Sequence, residues 1–138
     1  MSYREKSAWV MAVLMAVTGT YYLLIVRTAS QELGETAPAA VAIGFVILVV
    51  IGSIALQVVL AISSPREANA PADERERLVA QRSGSWSGLV LATCVVAALG
   101  HFLVRGDGSM LFHLVMGSLI VSQIAENALQ IFLSRRSI

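Results

Sequence analysis

Apolar and polar positions are gathered into blocks along this chain: four long apolar stretches, at residues 8–26, 37–62, 86–104 and 110–133, are divided by short polar ones. Each stretch holds the roughly 20 apolar residues that a helix needs to cross a hydrocarbon core about 30 Å thick. Residues 41–51 are apolar on every face, whereas barrel strands alternate with period two, so the predicted form is helical. The pattern predicts an all-α membrane protein, a single domain over residues 1–138. Its four transmembrane helices form two hairpins, joined by a polar loop at 64–85.

Composition agrees, since 57% of the 138 residues are hydrophobic and 14% charged, with a mean hydropathy of +0.74. A soluble domain of this length carries far more charge. The signs decide orientation. Arg4, Lys6, Arg66, Arg75, Arg77, Arg82, Arg135 and Arg136 flank one side of the spans, and only Arg27 and Arg105 the other. That bias puts both ends of the chain and the central loop in the cytoplasm, across a bacterial or archaeal inner membrane. Trp9 and Trp86 then anchor the inner interface, and Tyr21 and Tyr22 the outer one. The first apolar run is long and its charge flanks suit a retained anchor better than a cleaved signal peptide. Cys94, the one cysteine, lies inside span three and reads as a packing residue.

The chain contains an internal echo. Gly44 precedes Ala55-Leu56-Gln57 by the interval at which Gly117 precedes Ala128-Leu129-Gln130, and Trp9 and Trp86 open spans one and three alike. This pattern raises a tandem hairpin repeat about an axis along the membrane normal, with chance similarity among apolar helices as the rival.

The halves differ most in span four, where Ser118, Ser122, Gln123, Glu126, Asn127 and Gln130 form a polar stripe. An acidic side chain near a helix centre costs about 2.5–3.5 kcal/mol on insertion scales, so the stripe is expected to face another helix or water. Glu126 is expected about 10 Å inside the cytoplasmic end, with Gln57 and Gln123 as neighbours of similar depth. One reading is a proton- or cation-binding carboxylate; the other is a hydrogen-bond cluster that fixes packing. In span three, Gly84, Gly88 and Ala92 recur every four residues, a seam for close helix packing within the bundle or in a homodimer. His101 and His113 flank the outer turn and read as interfacial or hydrogen-bonded, with a pigment or metal as the sharper reading. No phosphate loop, nucleophile elbow or zincin motif is present, so neither a cofactor, a metal nor an enzymatic activity is expected, and no direct nucleic-acid binding.

Within the central loop, Pro71 is followed by Asp73, Glu74, Arg75, Glu76, Arg77 and then Arg82, acids before arginines, the order favoured at a helix start. Asp73, Glu74, Arg75, Arg77 and Arg82 are the candidate partner-binding residues. The run Asp73-Glu74-Arg75-Glu76-Arg77-Leu78 with Gln81-Arg82, and the opening Arg4-Glu5-Lys6-Ser7-Ala8-Trp9, resemble a family of small four-helix prokaryotic membrane proteins. The resemblance covers the layout of the whole chain but is specific only in these runs. It implies a membrane-bound partner of a cytoplasmic helix-turn-helix regulator, and the chain departs from it at Glu126-Asn127 and in the serines that open helix three. The expected function is thus a non-enzymatic interaction or regulatory protein of the bilayer. The alternatives are a small proton-coupled transporter using Glu126 and an accessory subunit of a larger membrane complex.

Overall fold

The computed structural model describes residues 3–32, 37–65, 71 and 73–136. Four helices account for nearly all of them: α1 (Tyr3–Glu32), α2 (Ala37–Ser63), α3 (Glu74–Arg105) and α4 (Gly108–Arg135). All four are long and apolar enough to cross a membrane, so the chain has the all-α architecture that its apolar blocks predict. Arg66 lies outside the described residues.

Local chemistry sets the ends of the second hairpin. The Asp73 carboxylate accepts from the Glu74 N–H at 2.8 Å and caps α3, with Glu74 and Glu76 in the first turn. An acceptor placed there satisfies one of the otherwise unbonded amides of a helix start. At the far end Gly106 takes φ +69°, a left-handed conformation suited to glycine, and its N–H bonds Phe102 O. Asp107 follows at once and caps α4 by accepting from Met110 N at 3.0 Å. Helix stop and helix start are thereby compressed into two residues.

Packing makes α1 and α4 the inner helices. The extensive contacts are α3 with α4, α1 with α2, and α1 with α4. A two-fold relation between the hairpins would pair α2 with α3 as closely as α1 with α4, and the contacts lack that pairing. The echo between spans two and four is therefore one of sequence and not of place in the bundle.

The interior is small and polar. Ala8, Tyr22, Ala42, Val79, Ala98 and Ile120 are buried together with Thr18, Ser83, Ser87, Ser118, Ser122 and Asn127, while residues such as Val59, Ile62 and Leu103 point outward. In lipid no hydrophobic force drives helices together, so small residues that admit close backbones are favoured between them. Three of the hydroxyls are satisfied by their own helices, Thr18 donating to Leu14 O, Ser83 to Ala80 O and Ser118 to Leu114 O, while Ser122 donates across to Ser87 O. The α1–α4 approach is tightest at Gly19, where a Cβ would stand 2.7 Å from Ile120 Cγ2. Further along the pair, Tyr22 packs on Phe45 with centroids 5.0 Å apart, and its hydroxyl lies 3.2 Å from His113 Nδ1.

Candidate functional site

One end of the bundle is held by polar contacts that join all four helices. Arg75, in the first turn of α3, donates to the carbonyls of Ser134 and Arg136 at 3.1 and 3.0 Å. Those carbonyls close α4, so a side chain from a neighbouring helix satisfies acceptors that α4 cannot. Arg135 pairs with Glu5 of α1 at 3.1 Å and lies over the Trp9 ring at 5.7 Å. Ser7 of α1 and Gln57 of α2 exchange two hydrogen bonds at 2.8 and 3.1 Å.

Two tryptophans lie toward this end, Trp9 beside Arg135 and Trp86 next to the Ser87–Glu126 contact. Trp9 in α1 and Trp86 in α3 are both largely exposed, at 41% and 59%, where amphipathic rings suit an interface. From Trp9 to Arg27 the axis runs about 27 Å, and from Trp86 to Arg105 about 29 Å. Both match a hydrocarbon core of about 30 Å. α3 continues past Trp86 by residues 74–85, about 18 Å of polar helix, with the last turns of α4 and, through Arg135, the start of α1 beside it.

Glu126 meets α3 beside Trp86. Ser87, next to Trp86, donates to Glu126 Oε2 at 3.5 Å, and its carbonyl accepts from Ser122 Oγ at 3.1 Å. Arg135, further along α4, reaches Trp9 and Glu5 of α1. The expected cluster also divides. Gln57 belongs to the Ser7 pair between α1 and α2, apart from Glu126. Asn127, buried, donates to Gln123 O at 2.8 Å, and Gln130 O accepts from Ser134 Oγ. Ser122, Glu126 and Ser87 come together; Gln123, Asn127 and Gln130 are tied within α4.

The small-residue seam is displaced by one position. α3 meets α4 through Val79, Ser83, Ser87 and Ala98, whereas a Cβ at Gly84 or Gly88 would meet nothing within 4 Å and Ala92 is exposed. The serines can be buried because each hydroxyl bonds a carbonyl one turn back, and this choice leaves Trp86, Leu89 and Val96 facing outward. His113 is engaged by Tyr22, while the buried Nδ1 of His101 has no hydrogen-bond partner. Among the described residues no three His, Cys, Asp or Glu side chains gather as a metal site.

The extension carries a groove of about 370 Å3 lined by Asp73, Glu74, Arg75, Leu78, Val79 and Arg82. Four of the five candidate partner-binding residues meet in it; Arg77 is exposed and lies outside the lining. Sequence reasoning missed Leu78 and Val79, although their spacing from Arg75 and Arg82 by three and four residues was the signal that could have found them. Leu78 is half exposed and Val79 forms the buried floor. A second cavity, about 320 Å3 and mostly apolar, lies between α1 and α2 against Tyr21, Tyr22, Val41 and Phe45.

No family model, curated protein or solved structure matches the chain.

Proposed function

We propose that this chain is a non-enzymatic interaction protein of the bacterial or archaeal inner membrane, which docks a cytoplasmic partner on the end that carries the start of α3. The observation that carries the reading is the 74–85 stretch of α3, about 18 Å of polar helix before Trp86 with a groove along it. The Lys and Arg bias assigns this end to the cytoplasm. Rigidity supports the same role: Asp73 caps the helix and Arg75 ties it to the end of α4, so the surface is ordered before a partner arrives. A surface that need not order itself on binding loses less entropy.

The transporter alternative is weakened by the partner that Glu126 already has. A carboxylate met by the Ser87 hydroxyl inside the bundle does not need an exchangeable cation to be tolerated.

The test is gentle-detergent affinity purification from native membranes, with mass spectrometry of what accompanies the chain. Beside the wild type, a variant with Arg77, Leu78, Gln81 and Arg82 all replaced by Ala is purified. Arg75 is left intact because it holds α4. A stoichiometric soluble protein present with the wild type and lost from the variant is the expected result. Recovery of the chain alone from both refutes the reading and returns attention to proton-coupled transport at Glu126.

A further inference from the structure

We propose that the groove at the start of α3 binds the headgroup of a phospholipid whose primary ammonium follows its phosphate, as in phosphatidylethanolamine. The proposal goes beyond the interaction reading and does not depend on it, because Arg77 and Gln81, exposed and outside the lining, are left to a soluble partner. Contacts between helices set the level of the groove. Across the α3–α4 pair Ser87 meets Ser122 and Glu126, and across the α4–α1 pair Arg135 meets Glu5 and Ile120 faces Gly19. Counting along these antiparallel pairs sets Trp9 about level with Gln130 of α4 and Gln81 of α3. The groove therefore runs beside the first turns of α1, with Arg82 at the level of Trp9 and one turn from Trp86. Exposed tryptophan rings settle among lipid headgroups, a layer about 5–8 Å thick on each face of a bilayer. The groove opens into that layer.

The order of charge in the lining selects the headgroup. Arg82 stands on the side of the tryptophans, Glu74 and Asp73 stand at the far side, and Leu78 lies between them over the buried Val79. Four-residue spacing keeps Glu74, Leu78 and Arg82 on one face of the helix. Arg75 is held by the Ser134 and Arg136 carbonyls, and Asp73 caps α3, which leaves Arg82 and Glu74 as the ions that a ligand meets. A phosphatidylethanolamine is built in the same order. Its phosphate is tied through glycerol to the acyl chains, and its ammonium follows two carbons later and is free to turn outward. Phosphate against Arg82 and ammonium against Glu74 set each charge beside its opposite, with the carbons over Leu78. The eight residues between the two ions are about 12 Å of axis, which the headgroup spans with a charge-assisted hydrogen bond at either end. A volume of about 370 Å3 admits that group together with its glycerol. Phosphatidylglycerol brings no cation for Glu74, and the quaternary ammonium of phosphatidylcholine brings no N–H.

The experiment titrates the full chain, stripped of lipid in mild detergent, with dioleoyl phosphatidylethanolamine, phosphatidylcholine or phosphatidylglycerol, and counts the bound lipid by native mass spectrometry. The wild type should hold phosphatidylethanolamine about three- to fivefold more tightly than either of the others, the size of effect expected from one exposed charge pair. Glu74→Gln should bring phosphatidylethanolamine down to phosphatidylcholine, and Arg82→Ala should weaken both. Glu74→Lys should turn the preference to phosphatidylglycerol. That reversal is a gain of binding, which a variant that fails to fold does not show. Equal retention of the three lipids, tightest binding of phosphatidylglycerol by the wild type, or a preference that neither Glu74 nor Arg82 moves overturns the proposal. So does the absence of a lipid preference together with a soluble protein that co-purifies with the wild type and is lost from Glu74→Lys, which assigns the groove to protein.

Discussion

α2 and α3 are the two outer helices, each packed extensively against one inner neighbour, and they differ in nearly every other respect. α2 exposes Ile43, Ile47, Ile51, Ile54 and Val58 along its whole length and ties itself to α1 through the Gln57–Ser7 hydrogen bonds and the Tyr22–Phe45 ring contact. α3 changes character at Trp86: apolar and outward-facing beyond it, charged and capped before it. The same outer position thus produces a helix apolar and outward-facing along its length in one hairpin and a helix with a charged, capped start in the other. The lesson is that a helix longer than the bilayer spends its surplus turns where its polar residues are, and those turns become a surface.

The comparison can be broken most severely at the joint that both hairpins share. Gly19→Leu drives a side chain into Ile120, and overpacking of this kind costs about 1–3 kcal/mol. Denaturant unfolding in detergent should show this loss, with α1 and α2 parting from the α3–α4 pair. Next in size is the cap at the charged start of α3. Asp73→Ala removes the acceptor for Glu74 N and should cost about 1 kcal/mol, seen as faster amide exchange in residues 74–77 with α2 unchanged.

A smaller effect of opposite sign sharpens the packing side. Gly88→Ala places a methyl in open space on a helix, and the protomer should gain up to about 1 kcal/mol. A loss of stability together with loss of self-association, measured by energy transfer between labelled copies, would instead show that the Gly84–Gly88–Ala92 face is used between protomers. Least of all should be Val59→Leu on α2, an outward position at 64% exposure, within about 0.5 kcal/mol in a thermal melt.

The sequence alone determined how many helices there are, roughly where they run and which ends share a side. Apolar length and the placement of arginines are local quantities, set by the bilayer and not by the neighbours of any residue. The start of α3 was equally legible, because Pro71, Asp73 and Glu74 act on amides a residue or two away. Pairing between helices was not. Four-residue spacing made Gly84, Gly88 and Ala92 as good a seam as Ser83 and Ser87, and only the fold chose the serines, since their hydroxyls can be satisfied inside their own helix. Gln57 and Glu126 looked like neighbours by depth, yet α2 touches α1 and α4 touches α3, and that separation decides which polar groups meet. Stagger was the last thing withheld. Counting residues along span four could not say what Glu126 meets, and the register of α4 against α3 set it beside Ser87 and Trp86, because which side chains meet depends on how two helices slide past each other.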